Sequence, residues 1–261
     1  MSSAPHNLPL RLNERTKEPY LQLPEPHGNI IITPPRQTEA DIAALVSIMN
    51  ERAVWQWLEG PPYPYNEDHA RSWLAMISRE SDDLFAQLQD NPYQLVGGCP
   101  VRILREVLDN GEDIFLGDIR VDGCIYSWVL DAEERNRLTE ENIRKRPGDP
   151  SKDWEFGGIT RNDVSNGSKV ITLSTDYLAP SHHGKGIMSL AIKTLIHEWL
   201  IPKMGIKKMS VVTYDKNIGS ARVFERNGFV LEKIVPDARQ ISEVKGGGTV
   251  GFQVLHWRLP G

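Results

Sequence analysis

Residues 178 to 188 read Leu178-Ala179-Pro180-Ser181-His182-His183-Gly184-Lys185-Gly186-Ile187-Met188. Two glycines separated by one lysine precede an apolar run with helical spacing. Glycine lets a backbone come close to a bound group, and the free N–H groups at a helix start attract anions. With the charge of Lys185 added, the loop suits a pyrophosphate. It is not a Gly-x-x-x-x-Gly-Lys-Ser/Thr loop, and it lacks the third glycine of a dinucleotide fingerprint. Read alone, it is equally a plain strand-to-helix turn. A second segment runs Asn217-Ile218-Gly219-Ser220-Ala221-Arg222-Val223-Phe224-Glu225-Arg226-Asn227-Gly228-Phe229. Asn217 is a good helix N-cap, and Gly228 suits the left-handed position that ends a helix, so local structure alone explains part of this pattern.

The elements that must position these segments follow from periodicity. Residues 28–33 and 170–178 read as strands, the latter rich in β-branched residues. Thr38 with Asp41 signals a helix start, and Ile42, Leu45, Val46 and Met49 share its face. Asn66 caps a second helix carrying Ala70, Trp73, Leu74 and Ile77. Strands at 101–106 and 114–121 flank the turn Asp109-Asn110-Gly111. After the glycine loop comes an amphipathic helix that Pro202 is expected to end. A strand at 209–214, a short helix at 220–227 and strands at 229–235 and 250–259 complete the order. Residues 1–27 hold five prolines and read as an extended arm on the surface. Residues 28–261 read as a single domain, with an insertion at about 127–169 lying over one face of the sheet.

Composition excludes several classes. The 261 residues carry 30 Lys+Arg against 35 Asp+Glu, a net charge of −5, so no overall basic field points to nucleic acid. No apolar run approaches the ~20 residues of a membrane helix. Two cysteines, Cys99 and Cys124, fit a reducing compartment, with the cytoplasm the expected location and the nucleus the second choice.

Taken together, the two segments resemble the GNAT superfamily of acetyl-CoA-dependent N-acetyltransferases. The family's loop, Gln/Arg-Gly-x-Gly-x-Gly/Ala, is matched by His183-Gly184-Lys185-Gly186-Ile187-Met188. Its later Asn-x-x-Ser/Ala, downstream Tyr or apolar residue and Gly-Phe are matched by Asn217, Ser220, Phe224, Gly228 and Phe229. Trp57-Leu58-Glu59-Gly60-Pro61-Pro62-Tyr63-Pro64-Tyr65, with Ala70, Trp73 and Leu74, is similar to the entry region of the ribosomal-protein type. The sequence departs from the pattern at His183, at Met188 (for a small residue) and at Phe224, where many members carry a tyrosine acid.

The resemblance implies an α/β (α+β) GNAT fold. Its central mixed, mostly antiparallel sheet has helices on both faces, and its fourth and fifth strands, here 170–178 and 209–214, are parallel and splayed. Acetyl-CoA would lie in the splay, with Tyr177 and Leu178 at the thioester and pantetheine, His183, Gly184, Lys185, Gly186, Ile187 and Met188 at the pyrophosphate, and Asn217, Ser220 and Phe224 along the second helix. The acetyl group would pass directly to a primary amine, of a peptide N-terminus or a small molecule. Deprotonating a lysine amine (pKa ~10.4) at pH 7 costs about 4.6 kcal/mol, against about 1.4 kcal/mol for an α-amine of pKa ~8. Asp176 is the candidate base, with Glu232 and Asp237 behind it, and Ser220 is the candidate acid. For Asp176 the plain alternative is a solvated strand-end carboxylate. The adjacent His182 and His183 lack further ligands at metal spacing, so no metal is expected. Trp55, Trp57, Tyr63 and Tyr65 could line an acceptor groove or simply pack. The expected state is monomer or homodimer, without nucleic acid or membrane partners. The competing reading is a CoA-binding sensor or scaffold without catalysis.

Overall fold

Successive side chains of a strand point to opposite faces of a sheet. Ile103, Phe115 and Tyr177 therefore enter one buried cluster, and their neighbours Leu104, Leu116 and Leu178 enter another. The computed structural model describes residues 8–144, 155–158 and 176–260. Its strands are β1 (Arg11–Leu12), β2 (Pro19–Gln22), β3 (Ile30–Thr33), β4 (Ile103–Val107), β5 (Asp113–Asp118), β6 (Asp122–Gly123), β7 (Glu155–Gly158), β8 (Tyr177–Leu178), β9 (Lys208–Tyr214), β10 (Val230–Gln240) and β11 (Thr249–Arg258). Its helices are α1 (Glu39–Met49), α2 (Arg52–Trp55), α3 (Glu67–Asp90), α4 (Ala132–Arg144), α5 (Ile187–Leu195), α6 (Ile201–Met204) and α7 (Ile218–Glu225). Among the described residues no helix is long and apolar enough to cross a membrane.

The strands form two hydrogen-bonded sets, β1-β2-β3-β4-β5-β8 and β10-β11-β9-β7-β6. All described pairs are antiparallel except β7 with β9. Helices α1 and α3 cover one face through Ile42, Leu45, Leu74 and Ile77. Helix α5 covers the other through Ile187, Ala191 and Leu195. The expected caps are in place: the Thr38 side chain accepts from Asp41 N–H and Asn66 from His69 N–H, and Gly228 has φ +82°.

Three expectations change. Among the described residues the parallel neighbour of β9 is Glu155–Gly158, inside the segment read as an insertion. Of 170–178, residues 170–175 lie outside the described residues, and the described strand is Tyr177–Leu178. Strand β5 and its continuation β6 account for this: β5 pairs with β8, and β6 with β7, so one row of the sheet is written in two pieces. Gly157 and Gly158 give no β signal in sequence, whereas the β-branched run after 169 does. Second, the N-terminal segment is extended, but from Leu8 it is part of the fold. β2 pairs with β3, Leu21 and Leu23 are buried, and Glu18 grips Arg36 at 2.5 Å. Third, Pro202 does not end its helix. A π turn over Ile196–Leu200 precedes it, and α6 runs to Met204 before Gly205, at φ +64°, stops it.

Close approach of β5 to β8 depends on Gly117. A Cβ there would lie 2.1 Å from the carbonyl oxygen of Tyr177 and 3.1 Å from Leu178 Cα. Both contacts are backbone, so neither neighbour moves cheaply. Gly117→Ala is expected to lower unfolding stability by about 1–3 kcal/mol, the range for overpacking, read by urea denaturation. Unchanged stability would show that the two strands are not held this tightly.

Candidate active site

β8 touches β5 on one side, and no strand among the described residues pairs with its other side. The ladder there fixes where its polar groups point. Ala179 N–H donates to Leu116 O at 2.7 Å, which makes Ala179 and Leu116 a hydrogen-bonded pair. Leu178 and Gly117 are then the next, non-bonded pair. In an antiparallel ladder such residues direct N–H and C=O away from each other's strand. Leu178 therefore aims its N–H and C=O away from β5, into the space before β9.

That space is a cleft of about 690 Å³. Asp176, Tyr177 and Leu178 line it, as do His183, Gly184, Gly186, Ile187 and Met188, and Asn217, Ser220 and Phe224. Of the candidates at the strand end, the glycine loop and the second helix, only Lys185 is missing from the wall; its carbonyl meets His27 Nε2 at 2.8 Å, tying the N-terminal segment to the loop. Gly184 and Gly186 have φ of +74° and +81°, and a Cβ on either would meet nothing within 4 Å. They form an open cradle at the start of α5, whose first N–H groups have no acceptor within the helix. A phosphate fits this arrangement. Sequence reasoning passed over Lys216, Arg222 and Arg226, which also line the cleft. The spacing of the two arginines, one helical turn apart from a capped start, was the available signal.

His183 turns back on the strand, with Nε2 2.7 Å from Leu178 O. The Leu178 carbonyl is thus engaged inside the loop, while its N–H points into the cleft. His182 meets Glu106 at 3.1 Å and Ser181 at 2.9 Å. Among the described residues no group of three or more His, Cys, Asp or Glu is placed to hold a metal.

Asp176 accepts the Arg120 N–H at 3.3 Å. Burial first, and then the negative charge of Asp118, push its carboxyl up to about 7. The Ser220 N–H is capped by Asn217 Oδ1 at 3.1 Å, and its side chain borders the cleft. Phe224 packs edge-on against Phe229 at 5.3 Å and is a core residue that also walls the site. The hydroxyl of Tyr177 is buried without a hydrogen-bond partner among the described residues. Glu232 pairs with His256, and Asp237 accepts from Thr249 at 2.5 Å; neither carboxylate lines the cleft. Of the four aromatic residues singled out, Trp57 alone reaches the wall. Trp55 packs on Tyr63 at 4.6 Å, and Tyr65 is buried with its backbone bonded to Asn50. Neither cysteine forms a disulfide; Cys124 is buried, and burial pushes the Cys99 thiol up to about 12.

Comparison with known proteins places the chain by its fold and family. "Probable N-acetyltransferase YjcK" of Bacillus subtilis (strain 168) is 26% identical over 124 residues, 43% of this chain; the match spans 65% of that relative's length. A GNAT-family acetyltransferase structure from Bacillus anthracis aligns with a TM-score of 0.53 at 12% identity, covering 92% of this chain and 98% of that one. An apo structure of RimL, a ribosomal-protein alpha-N-acetyltransferase, aligns with a TM-score of 0.54 at 14% identity, covering 96% and 99%. At such identities these likenesses speak for the fold. Residues 29–230 match the family described as "Acetyltransferase (GNAT) domain", and the chain belongs to that family.

Proposed function

We propose that this protein transfers the acetyl group of acetyl-CoA directly to a primary amine. The observation that carries the proposal is the Leu178 N–H, turned into an unpaired gap between an open glycine cradle and a carboxyl that holds a proton near neutrality. Acetyl-CoA supplies a thioester, an acyl group on a good leaving group. The Leu178 N–H is a fixed donor for the charge that develops on the carbonyl oxygen. Gly184, Gly186 and the first turn of α5 receive the pyrophosphate, and Lys216, Arg222 and Arg226 add positive charge.

Asp176 takes the proton of the attacking amine. The nitrogen lone pair forms the C–N bond, the C–S bond breaks, and the sulfur leaves as a thiolate (thiol pKa ~8.5) that accepts a hydrogen bond from the Ser220 hydroxyl. A base near pH 7 suits an amine that is only slightly more basic. That favours an α-amine, of a peptide N-terminus or a small amino compound, over a lysine side chain. RimL, a protein of the same fold, acts by its name on a ribosomal-protein α-amine, which supports the same acceptor class. Trp57, Ala53, Val54 and Leu58, which line the same cleft, would face the acceptor.

Titration calorimetry with acetyl-CoA tests the cradle. Gly186→Trp places an indole where a Cβ now meets nothing, and affinity is expected to fall at least about tenfold, or 1.4 kcal/mol. An unchanged affinity would move the cofactor elsewhere. With an amine panel, Asp176→Asn is expected to lower kcat by about 10²–10⁴, the usual share of a general base, with acetyl-CoA binding retained. Binding by the wild-type protein without transfer to any amine would favour the CoA sensor or scaffold.

The same carboxyl makes a prediction for stability. Its folded value, about 7, lies above the ordinary 3.8. Its favourable contribution is present when both states are protonated and is lost as pH rises toward the folded value. Asp176→Asn removes that loss, so its gain in Tm over the wild type should grow from pH 4.5 to pH 7 and then level off. A gain independent of pH would show that Asp176 titrates like an exposed carboxylate.

A further inference from the structure

Behind Asp176 lies a cluster of charges that the transfer reaction described above does not use. Asp118 is completely buried, and Arg102 is 5% exposed. Arg102 grips Asp118 with two bonds, Nε to Oδ1 at 2.6 Å and Nη2 to Oδ2 at 2.9 Å. Trp73 Nε1 donates to Asp118 Oδ2 at 3.3 Å, and the Trp73 ring lies within cation–π range of Arg102 (5.5 Å) and Arg120 (5.7 Å). Arg120 in turn donates to Asp122 at 2.9 Å and to Glu80 at 3.1 Å, and Arg102 also meets Glu80 at 3.6 Å.

Two guanidinium groups thus serve Asp118, Asp122 and Glu80, and Asp176 is the fourth carboxylate. No described side-chain cation contacts Asp176; it receives only the backbone N–H of Arg120. Asp118 sits opposite Tyr177 in the β5–β8 register, next in the chain to Asp176, and Arg120, whose N–H Asp176 accepts, follows Asp118 by two residues, so the backbone brings the two residues close. Replacing a buried ion pair by apolar side chains is often neutral or stabilising, so stability alone does not account for this one.

We propose that Asp118, held by Arg102, is a positioning residue whose fixed negative charge keeps Asp176 able to take up a proton at neutral pH. This rests on the reading of Asp176 as the base. Like charges held close in a poorly solvated site cannot both ionise freely, and the one without a cation gives up its proton only at a higher pH. The other groups around Asp176 are Arg120 and Asp122 after β5, Glu80 on α3, Tyr177 beside it on β8, and His183, Lys216 and Ser220 across the cleft. Arg102 and Asp118 act on Asp176 with opposite signs.

That opposition provides the test. Asp118→Asn and Arg102→Gln break the same ion pair from its two ends. The readout is the pH profile of kcat at saturating amine, with Asp176→Asn measured alongside. In Asp118→Asn the midpoint of the acidic limb is expected to fall by about one pH unit, the scale of one close charge. In Arg102→Gln it is expected to rise. A pair that only supports the fold would lower kcat in both variants with unmoved midpoints, or move them the same way, and either result overturns the proposal. If these variants fail to fold, Asp122→Asn, at a side chain 28% exposed, replaces them: a smaller downward shift supports the proposal and none refutes it. Should the acidic limb survive in Asp176→Asn, the base has been misassigned and the proposal falls with it. Loss of the limb there, with no shift in Asp118→Asn, rejects the role of Asp118 alone.

Discussion

A sheet normally satisfies every backbone N–H and C=O along its strands. Here the row that would continue through β8 to β9 is left open, and the site depends on that opening. β7 pairs with β9 over Glu155–Gly158, and among the described residues β8 pairs only with β5. Between them the Leu178 N–H faces space instead of a neighbouring strand. Closing the gap would satisfy the backbone and remove the cleft. The packing on both faces holds it open: Tyr177 is anchored in the cluster under α1 and α3, and Leu178 in the cluster under α5. Gly117 allows β5 to carry β8 at close range without a side chain between them.

Chemistry of two kinds meets at this opening. On one side are backbone donors with open space before them, at Gly184, Gly186 and the start of α5. They are preorganised by left-handed glycine conformations that other residues adopt only with strain. On the other side is a half-buried carboxyl that accepts the Arg120 N–H and adjoins Tyr177, the register partner of Asp118. The first arrangement binds an anionic group without a large local charge. The second keeps a base near the proton affinity of an α-amine. The N-terminal segment joins the two halves, since His27 bonds the Lys185 carbonyl while Glu18 and Arg36 tie that segment to Asp113 on β5.

What the sequence revealed was local. The glycine loop, the Asn217 cap and the Gly228 stop each depend on a few consecutive residues, and each is placed as its residue types require. The convergence of Asp176, Gly186 and Ser220 on one cleft followed from the family pattern. What was hidden was non-local or chemically bland. β7 contains two glycines, and its parallel pairing with β9 spans about fifty residues of chain, so neither propensity nor periodicity marks it. The N-terminal segment reads as a proline-rich arm, yet Leu21 and Leu23 alternate into the core. Arg102 and Asp118 are sixteen residues apart, and only strand register brings that pair beside Asp176.

Amide hydrogen exchange with and without acetyl-CoA tests the open gap most directly, because it reads the backbone donors themselves. Bound acetyl-CoA is expected to slow exchange at Leu178 and at Gly184 and residues 186–189, which line the cleft, and to leave the paired amides of β4 and β5 unchanged. Protection centred anywhere else, or none at Leu178 and the glycine loop under saturating cofactor, would contradict the placement of the cofactor and the role of the unpaired strand edge.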